Sequence, residues 1–236
     1  MSWNPNRVPE PEVMDDSGEI ESYQSAASEQ HLNAIDDTFI EHLLRLADIG
    51  AWAGSPLGLD IGTGPAQIPI KILRKFSRLK IIGTDLSSRM LGCARKNAQQ
   101  CDVRDRLMLL RANGNSLPFP DGAFSMVCCN SVLHHAKDPV GLIREMFRVA
   151  EPNAPVLLRD LRRPPGPFIN VHIACHGRNY QGRMRRIFDD SVRAAYTQEA
   201  LTRMMEEAHV TGATVFRHRG AHMGIERAGL PQKHQS

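Results

Sequence analysis

Short apolar segments alternate with amphipathic helical segments along most of this chain, and this alternation limits the possible folds more than any other feature. The apolar segments cover residues 56–61, 79–84, 107–112, 123–130 and 155–161. Apolar residues at helical spacing occupy 65–76, 87–100 and 138–149. Strands that alternate with helices of roughly 10–15 residues predict a doubly wound, mostly parallel α/β sheet with helices on both faces. A further helix is predicted at 197–208. Two apolar segments follow it, at 212–217 and 223–226, and they bring the expected number of strands to seven.

The segments around this alternating region define the predicted domain organisation. Residues 1–28 are rich in acids and contain several prolines, which predicts a flexible acidic N-terminal arm. Residues 29–236 are expected to form one domain, since 236 residues with a hydrophobic fraction of 42% suit one substantial core. This domain begins with an amphipathic helix over about 29–49, an N-terminal helical extension. At about 162–195 the alternation breaks, and we expect a helical insertion there that covers the site.

Several classes of protein are excluded by composition. No apolar run approaches the roughly 18 residues that a membrane span needs, and the first 30 residues do not resemble a secretory signal. The five cysteines are odd in number and two of them, Cys128 and Cys129, are adjacent, so they do not suggest a disulfide framework. We therefore predict a cytoplasmic protein without membrane association.

A glycine turn follows the first predicted strand and predicts a ligand site. The segment Asp60-Ile61-Gly62-Thr63-Gly64 lies where backbone can approach a ligand at the start of a helix. No lysine or arginine occurs in this turn, and neither a GxGxxG pattern nor a P-loop is present. Asp85 follows the second strand, 21 residues after Gly64, and a carboxylate there can accept both hydroxyls of a ribose. A helix-capping role for Asp85 is the simpler alternative, but the preceding turn favours a nucleoside.

Four segments together resemble the class I S-adenosylmethionine-dependent methyltransferases. They are Leu59-Asp60-Ile61-Gly62-Thr63-Gly64, Ile82-Gly83-Thr84-Asp85-Leu86-Ser87, Asn113-Gly114-Asn115-Ser116-Leu117-Pro118-Phe119 and Asn130-Ser131-Val132-Leu133-His134-His135. Each segment alone is not specific for the family, but the four together follow its order and spacing over about residues 55–161. The resemblance is closest to the broad branch that acts mainly on small molecules. It implies a Rossmann-like fold, S-adenosylmethionine as cofactor and S-adenosylhomocysteine as product.

The resemblance also implies roles for individual residues in cofactor binding. The glycine turn would wrap the methionine part, Asp85 would hold the ribose, and Leu86 would pack against the adenine. Asn113 stands where the family usually has aspartate, and its amide oxygen can still accept a hydrogen bond from the adenine amino group. Ala66 replaces the third glycine of the family turn. The implied cofactor-binding residues are Asp60, Gly62, Thr63, Gly64, Asp85, Leu86, Asn113, Gly114 and Asn130.

Methyl transfer from a sulfonium is an in-line displacement with a good leaving group, so a protein mainly supplies proximity and alignment. If a base is used, the candidates are His135 and Asp160, which lie at or just beyond the ends of the fourth and fifth strands. His135 could instead serve only in packing at the start of the next helix. Asp160 could instead pair with Arg162 or Arg163.

The predicted insertion carries the candidates for substrate binding. Residues 159–193 contain eight arginines and three acids, whereas residues 1–50 contain eleven acids and two basic residues. We expect a cationic, partly aromatic lid, with the acidic arm able to lie against it; a solvated helical hairpin is the simpler alternative. The candidates are Tyr23, His31, His172, His176, Tyr180 and Arg183. Although His172, Cys175 and His176 are close in sequence, no second cluster completes a familiar ligand set, and no metal site is predicted.

Three functions are compatible with these patterns. The preferred one is transfer of a methyl group to an O, N, S or C atom of a small molecule, for which the arginines favour an anionic one. The arginine excess also permits an RNA (tRNA) methyltransferase, although the chain has few aromatic residues for base stacking. The third is a catalytically silent sensor or partner protein that binds S-adenosylmethionine. The sequence does not indicate an oligomeric state.

Overall fold

The computed structural model describes residues 7–13, 18, 30–47, 52, 54–218 and 220–229, and within them it shows one sheet of seven strands. The strands are β1 (Leu57–Ile61), β2 (Lys80–Asp85), β3 (Leu107–Arg111), β4 (Met126–Asn130), β5 (Val156–Leu161), β6 (Thr214–His218) and β7 (His222–Arg227). Their order is β3-β2-β1-β4-β5-β7-β6. The first five strands are parallel, and β7 runs antiparallel to β5 and β6. This order confirms the predicted doubly wound sheet.

Helices cover both faces of the sheet. They are α1 (Gln30–Leu46), α2 (Gln67–Lys75), α3 (Ser88–Gln100), α4 (Pro139–Val149), α5 (Ile169–His176), α6 (Gly182–Ala194) and α7 (Gln198–Glu207). Apolar side chains of α1, α2 and α3 pack on one face, and those of α4 and α7 pack on the other. Among the described residues, no helix combines the length and the apolar character that crossing a membrane would require.

The two adjacent cysteines show how the alternation of strand side chains divides the core. Cys128 packs in the cluster with α1, α2 and α3, whereas Cys129 packs in the cluster with α4 and α7. Successive residues of a strand point to opposite faces, and both faces of β4 are covered. Burial raises the pKa of both thiols well above the ordinary value, which keeps them protonated. All five cysteines of the chain are free thiols.

Side-chain caps start two of the helices where the sequence predicts them. The hydroxyl of Ser87 accepts a hydrogen bond from the backbone N–H of Met90 at 3.2 Å. The carboxylate of Asp138 accepts one from the N–H of Gly141 at 2.9 Å. Both contacts satisfy donors of the first turn that have no partner within the helix.

The helix after the glycine turn begins two residues later than predicted. Helix α2 starts at Gln67, and Ala66 before it adopts a left-handed conformation with φ of 64°. Gly62 and Gly64 are also left-handed, with φ of 70° and 52°. A helix cannot include such residues, so the turn extends through Ala66 and leaves more backbone available to a ligand.

The insertion predicted after the fifth strand consists of α5 and α6. Its apolar side chains form a separate small core that includes Leu161 at the end of β5, and Leu32 of α1 packs against this core. Within it, the rings of Tyr180 and Phe188 lie 5.1 Å apart. The insertion and α1 therefore lie together at the carboxyl ends of the strands.

A buried arginine connects α1 to the sheet. The guanidinium of Arg159 donates hydrogen bonds to the side-chain oxygens of Asn130 at 3.0 Å and Thr38 at 2.9 Å. A third hydrogen bond goes to the carbonyl oxygen of Ile35 at 3.1 Å, and the guanidinium lies over the ring of Phe39. Only 1% of Arg159 is exposed. This set of contacts fixes the position of α1 beside the ends of β4 and β5.

Candidate active site

A cavity of about 560 Å³ lies at the carboxyl ends of the parallel strands. Its walls come from the glycine turn, from α1, from the loops after β2, β3 and β4, and from the insertion. Strand order reverses between β1 and β4, and ligands of open α/β sheets bind in the crevice at such a reversal. Its volume is within the range of roughly 300–1,000 Å³ that is usual for small-molecule sites.

The glycine turn gives the cavity a wall of exposed backbone. A Cβ atom added at Gly64 would meet nothing within 4 Å, so the backbone there faces open space. At Gly62, an added Cβ would lie 2.2 Å from Cγ2 of Val132, which excludes a side chain. A ligand can therefore approach the main chain closely at Gly64, as the methionine part of the implied cofactor would require.

Asp85 organises this turn and remains able to bind a ligand. One carboxylate oxygen accepts a hydrogen bond from the N–H of Gly64 at 2.9 Å, and the other accepts one from the N–H of Ser87 at 2.8 Å. A carboxylate can accept about four hydrogen bonds in all, so these two contacts do not by themselves prevent a ribose hydroxyl from binding. The capping role and the ribose-binding role, which the sequence presents as alternatives, are therefore compatible.

The loops after β3 and β4 complete the same part of the wall. The amide oxygen of Asn113 accepts a hydrogen bond from the N–H of Asn115 at 3.0 Å. Gly114 packs closely, since an added Cβ would lie 2.7 Å from Cδ1 of Leu142. The side-chain oxygen of Asn130 is the acceptor for Arg159. All nine residues that the resemblance implies for the cofactor line the cavity: Asp60, Gly62, Thr63, Gly64, Asp85, Leu86, Asn113, Gly114 and Asn130.

Carboxylates dominate the charge of this end of the cavity. Asp36, Asp60 and Asp85 all line it. Burial raises the pKa of Asp60 to about 6, although the nearby hydroxyl of Thr63 and a hydrogen bond from Cys128 act in the opposite direction. Burial likewise raises the pKa of Asp36 to about 6, against the nearby charges of Lys71 and Arg159. Buried carboxylates are stabilised by a cation, so this end fits a sulfonium with its ammonium group.

Asp160, one of the two predicted bases, lies beneath the cavity wall, and its carboxylate already accepts three hydrogen bonds. Its carboxylate accepts hydrogen bonds from the ring Nδ1 of His134 at 2.6 Å, from the N–H of His134 at 3.0 Å and from the N–H of Leu161 at 2.6 Å. Burial alone would raise its pKa, but the interaction with His134 outweighs burial and lowers the pKa below the ordinary value. Asp160 orients His134, a residue that the sequence did not single out because nothing distinguishes it from His135.

The two histidines of this loop differ in environment. Burial disfavours the charged form of His134, but Asp160 outweighs it and raises the pKa of the ring. Burial lowers the pKa of His135 to about 4, and the charge of His134 lowers it further, so His135 is neutral at pH 7. The ring Nδ1–H of His135 donates to the carbonyl oxygen of Pro11 at 2.9 Å. Both rings line the cavity.

The structure separates the substrate-binding candidates. His176 and Tyr180 line the cavity, together with Arg178 and Phe188 of the same insertion. His172 is buried but, like Arg183, is not among the residues that line the cavity. Tyr23 lies outside the described residues, and the structure describes His31 only as part of the backbone of α1. Arg178 and Phe188 could have been found from the aromatic and basic pattern of the insertion.

Part of the acidic arm lies beside the histidines. Residues 7–13 run along the end of α6 and the loop after β4, where the guanidinium of Arg7 donates to the carbonyl oxygens of Ala194 and His134. The N–H of Val8 donates to the carbonyl oxygen of Arg193 at 3.3 Å. Glu12 and Val13 continue into the cavity wall. The sequence predicts a contact between arm and insertion from their opposite charges, but the contacts described here are made by Arg7 and by backbone groups.

Comparisons with known proteins agree with this geometry. Residues 59–158 match the methyltransferase domain family. The chain is 28% identical to the ubiquinone/menaquinone biosynthesis C-methyltransferase UbiE of Hahella chejuensis over 67% of this chain and 68% of that protein. It is 31% identical to the 27-O-demethylrifamycin SV methyltransferase of Amycolatopsis mediterranei over 46% of this chain and 40% of that protein.

A solved structure supports the fold over most of the chain. It is an S-adenosylmethionine-dependent methyltransferase from Aquifex aeolicus, with a TM-score of 0.55 and 18% identity over 82% of this chain and 98% of that one. Residues 59–158 therefore carry a methyltransferase domain, and the sheet order and the cavity agree with the class I S-adenosylmethionine-dependent methyltransferases. The chain is a methyltransferase, and S-adenosylmethionine is its cofactor.

Proposed function

We propose that this enzyme transfers the methyl group of S-adenosylmethionine to a small molecule that enters the cavity as an anion. The observation that carries the proposal is one cavity lined by two different groups of side chains. The part at the glycine turn, the donor end, is lined by Asp36, Asp60 and Asp85. The part formed by the insertion, the acceptor end, is lined by Arg178, His176 and aromatic side chains. A cationic donor and an anionic acceptor would each be attracted to its own end.

The nine residues named above would hold the cofactor, and its sulfonium supplies a methyl group attached to a good leaving group. An acceptor whose nucleophilic atom itself carries the negative charge needs no base, because that atom has no proton to lose. The chain would then supply alignment and exclude water. Asp160 is a positioning residue in this scheme, since its carboxylate is already committed to His134 and to the backbone.

The acceptor end fits a molecule with a ring or another flat apolar part. Tyr180 and Phe188 are largely buried and lie against each other, while Arg178 is exposed at the rim. Such a wall combines apolar contact with one cationic group. The relatives are named for ubiquinone/menaquinone biosynthesis and for a demethylrifamycin, which supports a small molecule over RNA.

Transfer of a labelled methyl group tests this proposal directly. The intact chain is incubated with labelled S-adenosylmethionine and with pairs of small phenols, hydroxyquinones and carboxylic acids, each anion matched by a neutral analogue. A parallel reaction contains tRNA at low salt. We expect label in the anionic small molecules. Label in tRNA alone would contradict the proposal, and cofactor binding without any transfer would favour the silent sensor.

The charge at the acceptor end is tested by Arg178→Gln. We expect the KM for the anionic acceptor to rise by roughly five- to tenfold with little change in kcat, because a rim charge contributes to binding in ground and transition states alike. Arg186→Gln is the matched control, since Arg186 lies on α6 but does not line the cavity. Equal effects of the two substitutions would argue against a specific role for Arg178.

The carboxylates at the donor end predict a pH dependence of cofactor binding. Asp60 and Asp36 both have a pKa of about 6 in the ligand-free protein. A cation bound nearby favours their ionised forms, so binding below pH 6 must release a proton. We therefore expect the affinity for S-adenosylmethionine to be about tenfold weaker at pH 5 than at pH 7.

Calorimetry at both values of pH measures this dependence. S-adenosylhomocysteine, which lacks the sulfonium charge, should show a smaller change. Asp60→Asn should reduce the dependence, leaving the part due to Asp36. An affinity that does not vary between pH 5 and pH 7 would contradict the electrostatic account of this end of the cavity.

A further inference from the structure

Three potential metal ligands meet where the N-terminal arm crosses the loop after β4. Oε2 of Glu10 lies 3.5 Å from Nε2 of His134 and 3.4 Å from Nδ1 of His135. All three ligand atoms lie within 4.8 Å of one another. Ligands bound tetrahedrally at about 2.1 Å from one ion are separated from each other by about 3.4 Å. The spacing around Glu10 is therefore that of side chains that share a single zinc ion.

Asp160 orients His134, one of these three ligands, through the other nitrogen of its ring. It accepts the hydrogen bond from Nδ1 of His134 at 2.6 Å and so leaves Nε2 of the same ring to face Glu10. Histidine ligands of metals commonly donate their other ring N–H to a carboxylate, which fixes the tautomer and the orientation of the ring. The position of Asp160, which general base catalysis does not explain, is explained by this arrangement.

The charge of the cluster also favours a divalent cation. Glu10 interacts electrostatically with Asp160 and Asp190 as well as with His134. Against these three carboxylates stands the guanidinium of Arg7, which donates to the carbonyl oxygen of His134. The side chains of Glu10 and Asp160 are only 13% and 3% exposed. Carboxylates in a largely buried place are costly unless a cation pairs with them, and a divalent cation would do so.

We propose that Glu10, His134 and His135 bind a zinc ion that fastens the N-terminal arm to the wall of the cavity. Two imidazoles and one carboxylate form a ligand set that zinc uses, with a fourth position left for water or another oxygen ligand. When the ion binds, His135 takes the tautomer with its proton on Nε2, so that the lone pair of Nδ1 binds the ion and the hydrogen bond to Pro11 is lost. Because Glu12 and Val13 line the cavity, fixing Glu10 also fixes this part of the wall.

Zinc retention tests the proposal without methyl transfer. The full chain is loaded with zinc, dialysed against metal-free buffer and analysed by atomic emission, and its affinity is measured by competition with a chromophoric chelator. We expect about one zinc ion per chain. Glu10→Gln and His135→Asn should each weaken binding at least about tenfold. Zinc should also protect the bond after Arg7 from trypsin in the unmodified chain but not in Glu10→Gln.

Matched controls separate this site from adventitious binding. Glu12→Gln changes another arm carboxylate, which pairs with Lys137, and should leave zinc retention unchanged. His176→Asn tests the histidines of the insertion and should also leave it unchanged. Three results would each overturn the proposal. They are no retained zinc in the unmodified chain, an equal loss of zinc in Glu10→Gln and Glu12→Gln, and a loss of zinc only in His176→Asn. Circular dichroism of every variant excludes misfolding as the cause, and labelled methyl transfer, measured separately, decides the proposed function.

Discussion

Asp85→Ala is expected to weaken the binding of S-adenosylmethionine by roughly 100-fold. The substitution removes a charged hydrogen-bond acceptor and leaves the N–H of Gly64 without the carboxylate. The carboxylate accepts hydrogen bonds from Gly64 and Ser87, so the substitution also loosens the backbone that a ligand would approach. Calorimetry with the cofactor and with S-adenosylhomocysteine measures the loss. Both ligands should be affected alike, since both carry the ribose.

Two further variants give this prediction its controls. Asp85→Asn keeps one accepting oxygen and should lose less affinity than Asp85→Ala. Asp121→Ala removes an exposed carboxylate that pairs with Arg148 and does not line the cavity, so it should leave the affinity unchanged. If Asp85→Ala bound the cofactor as well as Asp121→Ala did, Asp85 would not hold the ribose.

Arg159→Met is expected to lower the free energy of unfolding by about 3–5 kcal/mol, the usual result of removing one member of a buried charged network. The guanidinium is almost fully buried, and its loss removes the donor to the side-chain oxygens of Asn130 and Thr38 and one of the donors to the carbonyl oxygen of Ile35. Burial lowers the pKa of Arg159 to about 10, with Asp36 opposing the change, so the group remains a cation at neutral pH. Chemical denaturation monitored by circular dichroism measures the effect.

The same change should also disturb the cavity, since α1 supplies part of its wall. Arg111→Met is the matched control, because Arg111 is exposed and makes one hydrogen bond to the carbonyl oxygen of Leu86. It should cost no more than about 1 kcal/mol. Arg159→Lys keeps the charge but cannot supply three divergent donors, and we expect an intermediate loss. Unfolding free energies that do not differ between Arg159→Met and Arg111→Met would show that the buried network contributes little.

The sheet could be predicted because its determinants are local. Each strand is a short apolar segment followed by a turn, and the period of apolar residues distinguishes strands from helices. The glycine turn and Asp85 are recognisable for the same reason, since each lies directly after a strand. The start of α2 was predicted too early because alanine rarely adopts left-handed backbone, although the family resemblance places a glycine at position 66.

The residues around His134 and His135 make contacts that local sequence patterns could not predict. Both His134 and His135 occur in the same motif, and only the packing of the loop decides which of them receives Asp160. Glu10 is separated from His134 by more than 120 residues, and no periodicity connects them. Arg159 was visible as one of eight arginines of a basic segment, and only the fold buries it beneath α1.

The sequence by itself determined the class of fold, because the order of strands and helices is local information. The resemblance of its motifs indicated the cofactor and the end of the sheet where its binding is predicted. Tertiary structure alone decided which carboxylates and rings meet. It placed the acidic arm against the insertion, joined Glu10 to His134 and His135, and committed Asp160 to orienting a ring. Such contacts depend on distances between segments remote in the chain, and those distances arise only when the helices and the arm pack on the sheet.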